Sequence, residues 1–260
     1  MNKAMLALLT AALLGSSYVT QAQVSSVNAV GYYQLTVPTN SQYSMVSVQL
    51  DPMDPTNATL LGVMGTNNLQ KANNPNGADK VYIWTGLRWA GYFQKLDGLF
   101  YVYPNVTGSI PTNPPLLGGT AIFLQGVASL ITNRTITISG EVVSDVTASV
   151  SIPGVYASYA FLTYPFSCGT TLQGMSLKYQ GTKSLNPTAN DKLTLFDTAT
   201  QKYYAYYLRG NDAGTHRLAW QTNPTNAVDP DWSIPMGQAF WYQARNTFTW
   251  VETNQYLNSL

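Results

Sequence analysis

Two hundred and sixty residues suffice for one or two domains with a proper hydrophobic core. An apolar share of 45% and an aromatic share of 12%, against 10% charged residues, exclude a disordered chain. Thirteen basic and twelve acidic residues, one His and one Cys leave no charge excess to hold nucleic acid, and too few ligands for most metal or His-dependent chemistry.

Residues 1–22 read as a secretory signal peptide: Lys3, an apolar run from Ala4 to Gly15, then small residues up to a cut after Ala22. The apolar run is shorter than the roughly 20 residues needed to span a bilayer, and no later stretch approaches that length, so no membrane-spanning helix is expected. Loss of Lys3 with the leader leaves twelve basic residues (13 − 1) against twelve acidic ones. The mature chain is expected in the extracellular space or at the cell surface, with the periplasm as another destination. Cys168 lies far from the cleavage region, which excludes an internal disulfide and a lipoprotein anchor. It reads as a small buried hydrophobe, with pairing between chains as the other use. Sequons at Asn57, Asn105 and Asn133 matter only in a host that glycosylates its secreted proteins.

Slid against itself by 112 residues, the segment 59–98 matches 171–210 without a gap at 11 of 40 positions, among them Thr59/Thr171, Gly62/Gly174, Pro75/Pro187, Asp79/Asp191 and Tyr92/Tyr204. Chance gives roughly 2 or 3 for ordinary composition. The register resumes at offset 118, where Gly119, Ala121 and Gln125 face Gly237, Ala239 and Gln243. The spacing predicts two homologous units, residues 23–145 and 146–257, too long a period for a solenoid or propeller blade.

Short β-rich runs separated by Gly, Pro, Asn and Asp clusters predict an all-β chain with little helix, each unit an antiparallel sandwich or barrel. In the first unit the expected strands are 30–37, 45–50, 80–84, 91–94, 120–124 and 135–142. In the second they are 157–163, 192–196, 202–208, 217–220, 238–243 and 247–251. A helical turn is expected around Leu60, with Thr56 and Asn57 as N-caps, and another around Leu172. The segment Gln23 to Val37 is either the first strand of its own unit or an extended arm that adds to the sheet of a neighbouring subunit.

Asn28-Ala29-Val30-Gly31-Tyr32, the strand-entry segment Asp79 to Trp84, the Gly-rich lead into Leu117 to Phe123 and the close Gly140-Glu141-Val142 together resemble a family of small secreted proteins abundant in Verrucomicrobia and related bacteria. The likeness covers most of the first unit and, more loosely, Pro235 to Trp241 in the second. It implies a secreted, often duplicated β-rich protein and carries no catalytic residues.

No residue constellation points to catalysis. Glu141 and Glu252 each close the last strand of their own unit, so they read as duplicated framework and not as the two carboxyls a glycosidase sets across one bond. Asp79 and Asp191, each followed by Lys, read as turn-stabilising or ion-pairing groups. His216 with Asp212 lacks any nucleophile motif. Asp51 with Asp54, and Asp229 with Asp231, lack the Gly and distal Glu of a calcium loop, so no metal or other cofactor is expected. Aromatic residues are the abundant raw material. Trp84 and Phe196, at equivalent positions, read as core. Trp89, Trp220 and Trp232 sit beside polar loop residues and are the candidates for stacking on sugar rings. The sequence therefore predicts a non-enzymatic cell-surface or extracellular structural and adhesion protein able to self-associate. A carbohydrate-binding module built on a flat row of exposed aromatics is the alternative.

Overall fold

The computed structural model describes residues 29–104, 110–154, 159–210, 219–221, 232–255 and 257, and the fold over them is all-β with two short helices. The first half contains β1 (Val30–Val37), β2 (Tyr43–Ser47), β3 (Leu50–Asp51), helix α1 (Leu60–Met64), β4 (Lys80–Trp84), β5 (Trp89–Gln94), β6 (Phe100–Tyr103), β7 (Ala121–Gln125) and β8 (Arg134–Val142). The second contains β9 (Thr147–Ile152), β10 (Ala160–Thr163), β11 (Thr170–Thr171), helix α2 (Leu177–Gln180), β12 (Lys192–Asp197), β13 (Lys202–Arg209), β14 (Ala219–Gln221), β15 (Ser233–Ile234), β16 (Ala239–Gln243) and β17 (Phe248–Thr253).

The large sheet of the first half runs β2-β7-β4-β5-β6 and that of the second β10-β16-β12-β13-β14, the same order strand for strand. A small sheet lies with each: β1-β8-β3 in the first half, β17-β9 in the second. Register departs from the gapless offset at one place. Trp84 faces Trp89 across the first hairpin, whereas the second runs one pair further out, to Asp197 facing Lys202. Val81 therefore pairs with Tyr92, and its counterpart Leu193 with Tyr206, not Tyr204.

Strand alternation explains the layering. Ile122 and Leu124 of β7, with Val81 of β4, face Leu35, Val37, Ile136 and Ile138 of the small sheet and form the first core. Phe240 and Tyr242 of β16, with Leu193 and Leu195 of β12, meet Ile152 and Trp250 in the second. The opposite faces of the two large sheets meet each other through Met45, Ala121, Phe123, Phe196 and Ala239. Because both faces of β7 and β16 are covered, their sequences read as nearly continuous apolar runs. Phe196 is a core residue, as the sequence indicates, in the layer between the sheets, and the half-buried Trp84 joins the same layer; both stand on the strand face opposite Val81 and Leu193.

Two buried carboxylates repeat one arrangement. Asp79 accepts from the N–H of Gln70 (2.7 Å) and of Val127 (3.0 Å) and pairs with Arg134. Asp191 accepts from the N–H of Thr182 (2.9 Å) and of Arg245 (2.7 Å) and from the Tyr242 hydroxyl (2.7 Å). Each ties a loop nine residues upstream to the chain just beyond β7 or β16. A hydroxyl repeats in the same way: Thr59 Oγ1 accepts from Gly62 N at 3.2 Å and Thr171 Oγ1 from Gly174 N at 3.0 Å. Thr59, rather than Thr56 or Asn57, is therefore the N-cap of α1; Thr56 and Asn57 form a 3-10 turn capped by Asp54. The second helix starts at Leu177, not around Leu172, because residues 170–171 pair with β15. Gly119 and Gly237 both take positive φ, +80° and +86°. At Gly237 a Cβ would also fall 2.8 Å from the side chains of Tyr33 and Leu35, so only glycine fits there.

Residues 30–37 do not extend as a free arm. They pair with β8 of the same chain at all eight positions, from Val30 facing Glu141 to Val37 facing Arg134. Residues 23–28 lie outside the described residues. The described ends converge on the connector between the halves: Val142 N–H donates to Ala29 O (2.7 Å), and Asn254 N–H to Val146 O (2.8 Å).

Asp51 faces Glu141 across the β3–β8 pair, a like-charge juxtaposition. Partial burial, then Glu141 and Asp145, hold its carboxyl above the usual carboxylate range. The folded state therefore binds the proton more tightly than the unfolded state, and stability falls as pH rises from about 3.9 through the folded value. Asp51→Asn is expected to stabilise the protein at pH 7, by no more than about 0.5 kcal/mol at so exposed a position. The gain should vanish near pH 3; thermal melts at both pH values check it, and an equal gain at both would refute the electrostatic origin.

Candidate aromatic clefts between the sheets

The layer between the large sheets is a cluster of rings in mutual contact. Trp89 of β5 is its hub: its ring centroid lies 5.2 Å from Trp84, 5.1 Å from Phe123, 5.3 Å from Phe161 and 5.5 Å from Trp241. Phe161 stacks on Trp241 at 4.5 Å and on Phe123 at 5.4 Å, so rings from both halves interleave. The four contacts of Trp89 are tilted by 60–80°, which gives edge-to-face packing and no flat platform.

The cluster opens into two clefts that share Trp89 and Tyr203. The first, of about 440 Å³, is bounded further by Tyr43, Tyr82, Phe123, Phe196 and Gln201. The second, of about 420 Å³, is bounded by Trp84, Tyr159, Lys192, Thr194 and Trp241. Gln201 sits at a left-handed φ of 57° in the β12–β13 turn, a strained backbone for a side-chain-bearing residue. What holds it is a two-way bond to the edge of β2: Tyr43 N–H donates to Gln201 Oε1 (2.8 Å) and Gln201 Nε2 donates to Tyr43 O (2.9 Å). Asp197 fixes the same turn, its carboxyl held below the usual range by Thr200 Oγ1–H and the Ala199 N–H. At the other rim the Tyr82 hydroxyl donates to Gln125 Oε1 (2.8 Å), and Gln125 Nε2 donates to the Tyr43 hydroxyl (2.9 Å). Burial pushes the Tyr82 and Tyr203 hydroxyls up, so both stay neutral donors at physiological pH; a bond from Trp241 partly opposes the shift at Tyr203.

The fold sets Trp89 and Trp232 apart. Trp89 divides the two clefts. Trp232 packs on Tyr204 (5.7 Å) and Tyr206 (6.3 Å) and borders a separate groove of about 640 Å³. Trp220 pairs with Leu208 in β14, and its side chain lies outside the described residues. Tyr43, Tyr82, Tyr203 and Trp241 also line the clefts, and the sequence does not single them out for ligand contact. The available signal was their position on the strand face opposite the core.

Other candidates resolve into structure. Glu252 is buried and accepts from Trp250 Nε1 (3.0 Å), Ser176 N (2.8 Å) and Ser176 Oγ (2.9 Å), while Glu141 lies on the other small sheet. Cys168 is half-buried against the second core, where burial pushes its thiol up and makes it a poor nucleophile. Among the described residues no group of three His, Cys, Asp or Glu could hold a metal ion. Asp212, His216, Asp229 and Asp231 lie outside them. No helix among the described residues is long and apolar enough to cross a membrane. Comparison with protein-family models, with curated proteins and with solved structures finds no match to this chain.

Proposed function

We propose that the chain is a secreted, non-enzymatic protein of the cell surface or extracellular space that adheres by gripping neutral sugar rings of a glycan in the uncharged aromatic cleft between its sheets. The first cleft carries this reading. Its walls are tyrosine, tryptophan and phenylalanine rings, its rim offers the remaining acceptor capacity of Gln201 Oε1 and tyrosine hydroxyls, and none of its lining residues is charged. Sugar rings present apolar C–H faces with hydroxyls at their edges, which suits ring walls with polar groups at the rim. The site is a cleft and not the flat aromatic row expected from sequence, so the ligand is held between residues rather than laid across them. Common strand order and the repeated Asp and Thr arrangements support descent of both halves from one unit, with the boundary near residues 145 and 146.

Titration with neutral oligosaccharides, followed by tryptophan fluorescence, tests the reading. Tyr203 lines both clefts and is 55% exposed, so its loss should cost little stability. Tyr203→Ala is expected to weaken binding about tenfold with the melting temperature nearly unchanged. Failure of every neutral α- and β-linked oligosaccharide to bind would sink the proposal.

A further inference from the structure

We infer that the second cleft takes an anionic substituent of the bound glycan, a carboxylate or sulfate, with Lys192 as its counter-ion. The inference rests on the glycan reading above. Lys192 shares a strand face with Thr194 and Phe196, so it stands on the side of β12 that faces the aromatic layer, and it lines the second cleft. Among the described residues it has no acidic partner; the contact it makes is a distant one, its ammonium 6.0 Å from the Tyr207 ring centroid on the neighbouring strand. The adjacent carboxylate is no counter-ion, since both oxygens of Asp191 are taken by Thr182, Arg245 and Tyr242.

The other half supplies an internal contrast. Lys80 holds the corresponding place on β4, yet it is only 8% exposed, lies 5.3 Å from the Tyr103 ring centroid and does not line the first cleft. Of two equivalent lysines, one is covered and the other faces an open cleft walled by Trp84, Trp89 and Trp241. Partial desolvation by those rings strengthens the attraction of the ammonium for an anion over its value in water. One cleft is thus uncharged and its neighbour cationic, with Trp89 and Tyr203 shared between them, an arrangement that matches a saccharide bearing acidic as well as neutral rings.

Calorimetric titration of the full chain with three hexasaccharides tests this: a neutral β-linked glucose hexamer, a galacturonate hexamer and a sulfated glucose hexamer. At low salt at least one acidic hexamer is expected to bind about tenfold more tightly than the neutral one, and the advantage should shrink at high salt. Whether carboxylate or sulfate carries the advantage identifies the substituent. In Lys192→Met the ratio of acidic to neutral affinity should fall to about one, and Lys192→Arg should keep it; Lys192→Gln serves if the Met variant does not fold. Neutral binding without acidic preference, or a preference undiminished in folded Lys192→Met or Lys192→Gln, overturns this inference alone. Binding of none of the hexamers overturns this inference, and the glycan reading falls with it only if the neutral α- and β-linked oligosaccharides of the earlier titration also fail to bind.

Discussion

Asp191→Ala is expected to lower the free energy of unfolding by about 3–5 kcal/mol, a large fraction of what a domain of this kind possesses. The carboxylate is fully buried and accepts from two backbone N–H groups and the Tyr242 hydroxyl. Alanine removes the buried acceptor shared by these three donors, each lost bond costing about 1–3 kcal/mol, offset in part by removal of a buried charge. Burial, the largest cause of the upward shift of the Tyr242 hydroxyl, persists in the variant and keeps that hydroxyl neutral. Asp191→Asn keeps the shape but turns an amide N–H₂ toward one of those donors, so it should recover only part of the loss. Urea unfolding with an unchanged slope checks the expectation. A loss below about 1 kcal/mol would show that water replaces the carboxylate, and the repeated arrangement would then lack the structural weight assigned to it.

The second large effect lies where the halves join. Gln49 is buried, and its Nε2 donates to the carbonyls of Tyr164 (2.6 Å) and Phe166 (3.1 Å), while its Oε1 accepts from Gly237 N–H. All three partners belong to the other half. Its own N–H donates to the Tyr33 hydroxyl (3.0 Å), and its carbonyl accepts from Ser167 Oγ (2.6 Å). Gln49→Leu takes a bond from the Phe166 carbonyl and the Gly237 N–H and leaves the Tyr164 carbonyl only the 3.3 Å bond from Thr163 Oγ1, an expected loss of about 3 kcal/mol at a buried junction. The loss should be accompanied by weaker coupling: fluorescence, which reports the aromatic layer, is expected to change at lower denaturant than circular dichroism, which reports the sheets. Coincident transitions in the variant would mean that the ring cluster alone couples the halves.

What the sequence made legible follows from which forces are local. The β1 and β4 boundaries match the expected runs 30–37 and 80–84, because alternation and flanking turn residues define them. The expected strand 45–50 breaks at Val48 and Gln49, since Gln49 leaves the sheet to bond the other half, over sequence separations of 115 to 188 residues. β9 went unseen because Thr147-Ala148-Ser149-Val150-Ser151-Ile152 is small and polar, and only Ile152 is fully buried. The clefts were partly legible. Aromatic abundance and Trp89 could be read directly, but not which surface covers the second face of each large sheet. Apolar residues on both faces of β7 and β16 are the local trace of that layer. The Gln201–Tyr43 bond spans 158 residues and has no local signature.

The convergence of residues 29 and 254 on the connector has a mechanical meaning for the proposed adhesive role, in which the chain would be put under tension. Tension between the two ends acts on β1 at Val30, beside Glu141 where β8 leaves its sheet, and on β17 at Thr253, beside Thr147 where β9 begins. Both small sheets are therefore pulled from one end, and their hydrogen bonds yield pair by pair as a zipper opens, instead of resisting together in shear. The outer ribbons would peel first and lengthen the chain at low force, while the large sheets and the ring layer between them stay out of the line of pull.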